Sequence, residues 1–581
     1  MPSHTTVSGR QWVQRTEHVS ADAIEAQTGL SAVAAQCLAR RIEQLEQATP
    51  MWLNGSLDAL HDPYLMHNMD VAIERLRTAI ADLQHVRIIT DYDVDGATSS
   101  LILQAALRVC APDLVIDYHI PNRFLEGYGF SALAAQTAAK DGVDLIVTAD
   151  IGVRDHAAIA AAYAAGVDVL VCDHHLPDGV AVPDQAIVLC PKQEACDYPN
   201  PHLAACGVSL KLAQALLSDH PRWELIQRSM LKLAAIGTVA DVVSLRSAEN
   251  RTIVIQGLHA LREGPHHAGL TALLEVCGVE ADQLTAKDIG WKIGPRINAA
   301  GRLEDASLIV DLLQQRDPQD SQRFAERVER INTERKEVQD RLEQAVLEQL
   351  DTDDLPPFVV ASGLETEGWH RGVVGIVAGR IKERVHRPTA IVSIQGPQAS
   401  ASVRGTEGFH VVEALDSARH LLVRYGGHAA AAGFTVHTED LQELTDTLQA
   451  YAAKRLSDGT PPATIAYDVS LNLSSLSIPL LDQLTALEPF GQHYPEPVFL
   501  IPGVTFRQLK PIHKRTNQQH VGWRMRIVSP QKYLPAVWWT TKDLHEELSE
   551  APHDVLVALE RNVWNNRTTL QLSILDARLT T

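Results

Sequence analysis

Between residues 85 and 190, short runs of Val, Ile and Leu alternate with longer segments whose apolar residues recur at helical spacing. Val86–Thr90, Leu114–Tyr118, Val143–Thr148, Val167–Cys172 and Ala186–Cys190 have the length and β-branched content of buried strands. Ala97–Cys110, Ser131–Lys140 and His156–Ala165 fall between them and predict helices. Alternation of this kind predicts βαβ units and a parallel sheet, whose faces the crossover helices cover. Upstream, Ser20–Glu25 and Ala32–Leu45 repeat at helical spacing, so residues 1–80 predict helix, with 1–50 as an N-terminal helical extension. The parallel-sheet domain is expected over 51–265.

Further along, Pro318–Leu350 is highly charged but carries a one-sided apolar stripe of Phe324, Val328, Ile331, Val338, Leu342 and Val346. At 1.5 Å per residue it would span about 50 Å, which suits a connecting helix inside a linking region, 266–355. Asp351–Pro357 breaks that helix, and a smaller α/β domain rich in Gly and Ala follows over 356–455. The remainder, 456–581, has alternating segments (Thr464–Val469, Val537–Thr540, Thr568–Ile574) and many turn residues, as a small β-barrel would. The expected fold is therefore multi-domain α/β with a C-terminal barrel, and the length of 581 residues accommodates it.

Composition excludes more than it assigns. Apolar residues are 45% and charged residues 21%, values of a globular chain rather than a disordered or fibrous one. No uninterrupted apolar run is long enough to cross a bilayer, and the opening residues lack a signal peptide's apolar stretch. The seven cysteines include no C-x-x-C pair, so a disulfide framework and a zinc ribbon are both disfavoured and a reducing cytoplasm is expected. A net charge of −21 argues against coating nucleic acid through an overall field. Any polyanion must then be met locally. Between Ile501 and Thr540 the balance reverses, with Arg507, Lys510, Lys514, Arg515, Arg524, Arg526 and Lys532 and no acidic residue. Trp523, Trp538, Trp539 and Trp564 lie in the same tail. Basic residues among aromatics suit either an aromatic barrel core or a surface that stacks bases and follows a phosphate backbone.

Chemistry concentrates in four clusters. Asp91-Tyr92-Asp93-Val94-Asp95-Gly96, Asp150-Ile151-Gly152 and Asp173-His174-His175 each follow a predicted strand, and Asp241 ends the apolar helix-like stretch that contains Leu231–Ile236. Loops at the carboxyl ends of parallel strands converge on one crevice. Carboxylates massed there would repel one another without cations. Oxygen ligands with one or two imidazoles suit Mn²⁺ or Mg²⁺, and two such ions support in-line phosphoryl displacement. The first cluster also begins like a calcium loop, but Ile102 stands where that loop needs Glu.

These motifs, taken in order, resemble the DHH phosphoesterase superfamily. Gly427-His428-Ala429-Ala430-Ala431-Ala432-Gly433 resembles the glycine-rich motif of its DHHA1 partner domain, and Ile293–Arg302 with Ser402-Val403-Arg404-Gly405 resembles the RecJ-type subgroup of single-strand-specific 5′→3′ exonucleases. The resemblance implies a DHH domain, a DHHA1 domain and an OB-like barrel. It further implies a DNA repair and recombination enzyme that releases 5′-mononucleotides by two-metal hydrolysis. Metal-ligand positions fall on Asp91, Asp93, Asp150, His174 and Asp241, with Asp150 bridging and Asp95 as a further carboxylate. His175 is placed to contact the scissile phosphate or assist the leaving group. Substrate-binding positions fall on Arg123, Tyr128, Arg296, Asn298, Arg302, Ser402, Arg404 and His428, where guanidinium forks would select a 5′ phosphate, Arg296 and Arg302 flanking a glycine-bearing loop.

The resemblance also implies single-stranded DNA with a 5′ end as substrate, a single-strand-binding protein and a RecQ-type helicase as partners, a monomer and no membrane. Two alternatives stay open: a phosphoesterase of short oligonucleotides or 3′-phosphoadenosine phosphate, and an inactive single-strand-binding relative.

Overall fold

The computed structural model describes residues 6–580 apart from 125, 128, 178, 180, 352–353, 457–462, 514–519, 541, 549 and 565–566. Strands β1 (Val86–Thr90), β2 (Ile116–His119), β3 (Leu145–Ala149), β4 (Asp168–Cys172) and β5 (Ile187–Leu189) form an all-parallel sheet in the order β2-β1-β3-β4-β5. Alternate residues feed two cores. Ile88, Val147 and Leu170 pack toward the helix α1 (Val94–Cys110) and its neighbours, while Ile89, Ile146 and Val169 pack toward the helices Ala132–Lys140 and His156–Ala164. Burial on both faces explains why these strands read as continuous apolar runs.

Two helices complete the crevice side: α2 (Ala205–Leu217) and α3 (Trp223–Ala240). The short apolar stretch expected before Asp241 is the last part of α3, with Asp241 as its C-cap. A π-helical turn, Ile289–Ile293, then runs into α4 (Gly294–Leu303), so the expected glycine-bearing loop is helical. Gly301 serves close approach instead, because a Cβ there would lie 2.6 Å from the Tyr92 carbonyl oxygen.

The long helix α5 runs from Pro318 to Gln349 and is capped by Asp317, which accepts from the Gln319 and Asp320 amides at 2.9 Å. Its first half buries Ala325, Val328 and Ile331 in the large core shared with α4, and its second half buries Leu342 and Val346 against the second α/β unit. One helix thus reaches both cores. The second sheet has β6 (Val359–Leu364), β7 (Thr389–Gln395), β8 (Gln398–Arg404), β9 (Leu422–Gly427) and β10 (Ala431–His437) in the order β9-β10-β8-β7-β6, with only β6 and β7 parallel. Helix α6 (Val374–Val385) covers one face, chiefly over β7 and β8, and the helices Val411–Ser417 and Leu441–Arg455 cover the other.

The tail closes into a barrel of β11 (Phe499–His513), β12 (His520–Val528), β13 (Tyr533–Trp538), β14 (His553–Trp564) and β15 (Arg567–Leu579), ordered β11-β12-β13-β15-β14 with β14 returning to β11. Trp523 and Trp538 are both 5% exposed and form barrel core, whereas Trp539 is 61% exposed. The helical expectation for residues 1–80 fails at Gln11–Gln14, a strand that pairs in parallel with Thr464–Tyr467. Its partner lies some 450 residues away, beyond what local periodicity registers. Thr464–Val469 is interrupted at Asp468, whose carboxylate is buried between Arg41 Nη1 at 2.6 Å and Nη2 at 3.0 Å and also accepts the Val498 amide. Among the described residues no helix is long and apolar enough to cross a membrane.

The Arg41–Asp468 pair fastens the N-terminal helices to the barrel with both side chains fully buried. Asp468→Ala leaves a buried guanidinium without its anion and should cost about 3–5 kcal/mol. Urea unfolding followed by tryptophan fluorescence measures this, and an unchanged midpoint would remove the pair from the account.

Candidate metal centre

Three adjacent strands, β1, β3 and β4, end side by side and deliver Asp91, Asp150 and Asp173. The ladder continues one residue past each strand: Asp91 N donates to Ala149 O at 3.4 Å, Asp150 N to Cys172 O at 3.0 Å and Asp173 N to Leu189 O at 3.0 Å. Past Ala149 the chain turns sharply. Asp150 takes φ 63° and Gly152 φ 120°, and a Cβ on Gly152 would lie 2.5 Å from Thr148 Oγ1. A left-handed aspartate in a fully buried turn is backbone strain kept at a site.

Asp93 caps α1, accepting from the Asp95 amide at 2.8 Å and the Gly96 amide at 3.1 Å. Asp95 sits in the first turn and accepts from the Ala205 and Cys206 amides at 2.7 and 2.8 Å, which locks it to the start of α2. His174 Nε2 lies 3.2 Å from Asp150 Oδ1, 3.6 Å from Asp241 Oδ2 and 3.9 Å from Asp95 Oδ2. Three overlapping sets place one donor atom per residue within 4.8 Å of the others: Asp91, Asp93 and Asp150; Asp95, His174 and Asp241; Asp150, His174 and His175. Asp150 and His174 each belong to two sets.

Asp173 plays a part the sequence did not reveal. Its carboxylate accepts from the amides of Val153, His174 and His175 at 2.7–3.0 Å and lies 2.8 Å from His175 Nδ1. Those donors hold it well below the usual carboxylate range despite burial. Asp173 in turn raises the His175 imidazole against its burial and fixes the ring.

The other carboxylates of the crevice behave oppositely. Burial first, then the charge of Asp93, pushes Asp91 and Asp150 well up and Asp95 to about 6. Burial with Asp95 and Asp93 pushes Asp241 to about 9, while burial and His175 press His174 down to about 3. A neutral imidazole amid carboxylates that cannot all ionise together is a donor set fitted to hard divalent cations.

Beside this centre is a cluster of arginines. Arg123 reaches back from the loop after β2, its guanidinium 4.3 Å from the Tyr92 ring centroid and Nη2 donating to Tyr92 Oη at 3.1 Å. Arg302, on α4, donates to Gly372 O at 3.0 Å, and burial together with Arg123, Arg335 and Arg404 lowers it to about 10. Among the described residues no carboxylate lies in ion-pair range of Arg123, Arg302 or Arg404. The first turn of α6 lies over Ser402 and Arg404: a Cβ on Gly375 would be 3.0 Å from Ser402 Oγ and 3.2 Å from Arg404 Nη2. Helix amides and unpaired guanidinium groups together make an anion site.

The segment Trp369–Gly375 was missed in the sequence, although the spacing of Gly372 and Gly375 was its signal. A Cβ on Gly372 would lie 2.0 Å from Arg302 O. Asn298 is half-buried on α4, one helical turn from Arg302. Arg296 stands apart from the cluster, since it pairs with Glu329 on α5, Nη2 to Oε1 at 3.2 Å. His428 is exposed at the tip joining β9 to β10, and Ala431 three residues on pairs with Arg404. Tyr128 lies outside the described residues.

Comparison with known proteins fits this geometry. Residues 85–238 match the DHH family, N-terminal domain; 356–454 match the DHHA1 domain; and 467–576 match the RecJ OB domain. The single-stranded-DNA-specific exonuclease RecJ of Bacillus subtilis is 31% identical over 574 residues, covering 98% of this chain and 71% of that one. The RecJ of Dickeya dadantii is 36% identical over 479 residues, covering 79% and 81%. The chain belongs to the RecJ family. Among solved structures, RecJ of Thermus thermophilus in complex with Mn²⁺ superposes with a TM-score of 0.81 at 27% identity, covering 98% of this chain and 79% of that one. Its complex with Mg²⁺ gives 0.76 at 26% identity. The RecJ fold and its three matched domains thus run through this chain.

Two outcomes are expected. Because Asp95 and Asp241 keep protons in the native state that they release when unfolded, the native state binds more protons between roughly pH 4 and 9, and metal-free stability falls as pH rises. Thermal unfolding in chelator at pH 5 and 8.5 should show the drop, Asp241→Asn should flatten it, and a melting temperature rising with pH would contradict the crowding. Secondly, a Cβ on Gly237 would fall 2.5 Å from Cys206 Sγ and 3.0 Å from Asp95 Oδ1. Gly237→Ala should therefore displace α3 with Asp241 and weaken Mn²⁺ binding about 10–100-fold by calorimetry, with helix content retained.

Proposed function

We propose that this chain degrades single-stranded DNA from a 5′ end and releases 5′-mononucleotides, with Asp91, Asp93, Asp150, His174 and Asp241 holding two divalent ions. Single-stranded-DNA-specific exonuclease is the activity of its family and of this chain. One observation carries the finer reading. The carboxylates and imidazoles from β1, β3, β4 and α3 meet in one crevice, next to Arg123 after β2, Arg302 on α4 and Arg404 on β8, which among the described residues have no carboxylate in ion-pair range. A strand end whose terminal phosphate sits among those arginines presents its first phosphodiester to the carboxylates.

Those carboxylates with His174 would hold Mn²⁺ or Mg²⁺, which when bound would acidify a water near neutral pH and offset the charge of the phosphodiester. The chain's own groups do the rest. Asp150, shared between two donor sets, would take the bridging position, and Asp95, tied to the start of α2, holds the carboxylate wall in place. Asp173 holds His175 through Nδ1 and fixes the ring, from which Nε2 would donate to the phosphate or the leaving 3′-oxygen. Arg123, Arg302, Ser402 and Arg404 would fix the 5′ phosphate and so the register of cleavage.

The barrel supports a long substrate. Across β11 and β12, Arg507 faces Arg526 and Lys510 faces Arg524, all exposed. Like charges directly opposite one another disfavour the pairing unless an anion lies over them. A phosphate backbone does that, with exposed Trp539 available for stacking. The same reading places the enzyme in cytoplasmic DNA repair and recombination as a monomer working with a single-strand-binding protein and a RecQ-type helicase.

The test is digestion of an end-labelled strand with Mn²⁺, Mg²⁺ or chelator, against a duplex and a dinucleotide. Loss of the long single strand to mononucleotides, abolished by chelator, is expected. Preference for the dinucleotide would favour a short-oligonucleotide phosphoesterase, and inactivity throughout a binding protein. Asp150→Ala should lower kcat by at least about a thousandfold, roughly 4 kcal/mol of barrier, with the far-ultraviolet spectrum unchanged. Near-normal turnover by that variant would count decisively against the assignment.

A further inference from the structure

Residues two apart on a strand share a face, so Ser400, Ser402 and Arg404 of β8 line up on the side of the sheet that α6 only partly covers. The register carries that face outward: Ser402 opposes Gly433 and Ser400 opposes Thr435 on β10, while Thr435 and Gly426 of that row meet Arg424 and Gly433 across β9 and β10. Gly426 and Gly433 leave the floor without side chains next to Ser402. Beyond them is a cavity of about 450 Å³ lined by Arg371, Gln398, Ser400, Arg424 and Thr435 among others. Arg371 comes from the segment before α6, 5.1 Å from the Phe124 ring centroid and 3.4 Å from Glu365. Arg424 is exposed, bonds Thr435 Oγ1 at 3.2 Å and forms no ion pair among the described residues.

We infer that this cavity receives the outer phosphates of a 5′-polyphosphorylated strand end whose innermost phosphate occupies the Arg302–Ser402–Arg404 site. The inference rests on the 5′-phosphate reading above. Three things carry it. The cavity is contiguous with that site along one strand face, it adds guanidinium and hydroxyl donors, and its offset of two residues, about 6.6 Å, matches the reach of two further phosphoryl groups. A site meant to stop at a monophosphate would close beyond Ser402, whereas here the floor stays open.

The chemistry is unchanged by such an end. Water oxygen bonds to the phosphorus between the first and second nucleotides, the bond from that phosphorus to the first nucleotide's 3′-oxygen breaks, and that oxygen leaves as a hydroxyl carrying one proton. The first turnover then yields a nucleoside 5′-triphosphate and a strand with a 5′ monophosphate.

Single turnovers of one DNA strand bearing either a 5′ triphosphate or a 5′ monophosphate, in Mn²⁺ and read by chromatography of the first product, test this. The wild-type protein should release intact nucleoside triphosphate. Arg424→Ala should lower kcat/KM on the triphosphate end about tenfold or more while changing the monophosphate end less than about twofold, and Arg424→Lys should restore part of the loss. Thr435→Val, which keeps the arginine, should lower the same ratio by a smaller factor. Equal losses on both ends, refusal of the triphosphate end by the wild-type protein, or pyrophosphate as first product would each overturn the inference. Absence of cleavage at the monophosphate end would instead overturn the 5′-phosphate reading on which it stands.

Discussion

Repulsion among five aspartates is the constraint on which the rest of this structure turns. Asp91, Asp93, Asp95, Asp150 and Asp241 share one crevice, and most are forced toward their protonated forms by burial and by each other. Isolated buried carboxylates would neutralise or move apart. Here they are held by features that cost stability elsewhere: a left-handed aspartate, a glycine pressed against Thr148, and helix starts on α1 and α2 that fix Asp93 and Asp95. Divalent cations convert that stored repulsion into affinity, which is why the scaffold tolerates it.

The arginines beside the crevice pose the complementary problem. Among the described residues Arg123, Arg302 and Arg404 converge with no carboxylate in ion-pair range, and burial with the neighbouring arginines lowers Arg302. Their approach depends on glycines. Gly301 lets α4 rest on the Tyr92 carbonyl, Gly372 lets the second domain touch Arg302, and Gly375 lets α6 begin over Ser402. Helix α5 contributes apolar residues to a core on each side, so the element that joins the carboxylate crevice to the strand of Arg404 is a helix packed at both ends rather than a loop.

The barrel and the N-terminal segment close the arrangement from the other side. Residues 11–14 pair with 464–467, Trp12 Nε1 donates to Asp576 at 2.8 Å, and Arg41 grips Asp468. The two ends of the chain therefore stabilise each other. The basic row on β11 and β12 remains on the surface, a local reversal of charge within an acidic protein.

Much of this was legible in the linear chain. Strand runs such as Val86–Thr90 and Val167–Cys172 announce a doubly covered sheet because burial on both faces demands unbroken apolar residues, and α5 announces itself by a stripe over about six turns of helix. The acidic clusters were legible for the same reason, since chemistry at the ends of parallel strands falls directly after them. What periodicity and motif could not supply were relations between distant segments. The pairing of Gln11–Gln14 with Thr464–Tyr467, the diversion of Arg296 to Glu329, the helical rather than looped state of Ile293–Arg302, the use of Asp173 to hold His175, and the burial of Trp523 and Trp538 were all decided by the folded structure. Local spacing determines what a segment can become, but which charge meets which partner depends on three-dimensional packing that brings together groups far apart in the chain.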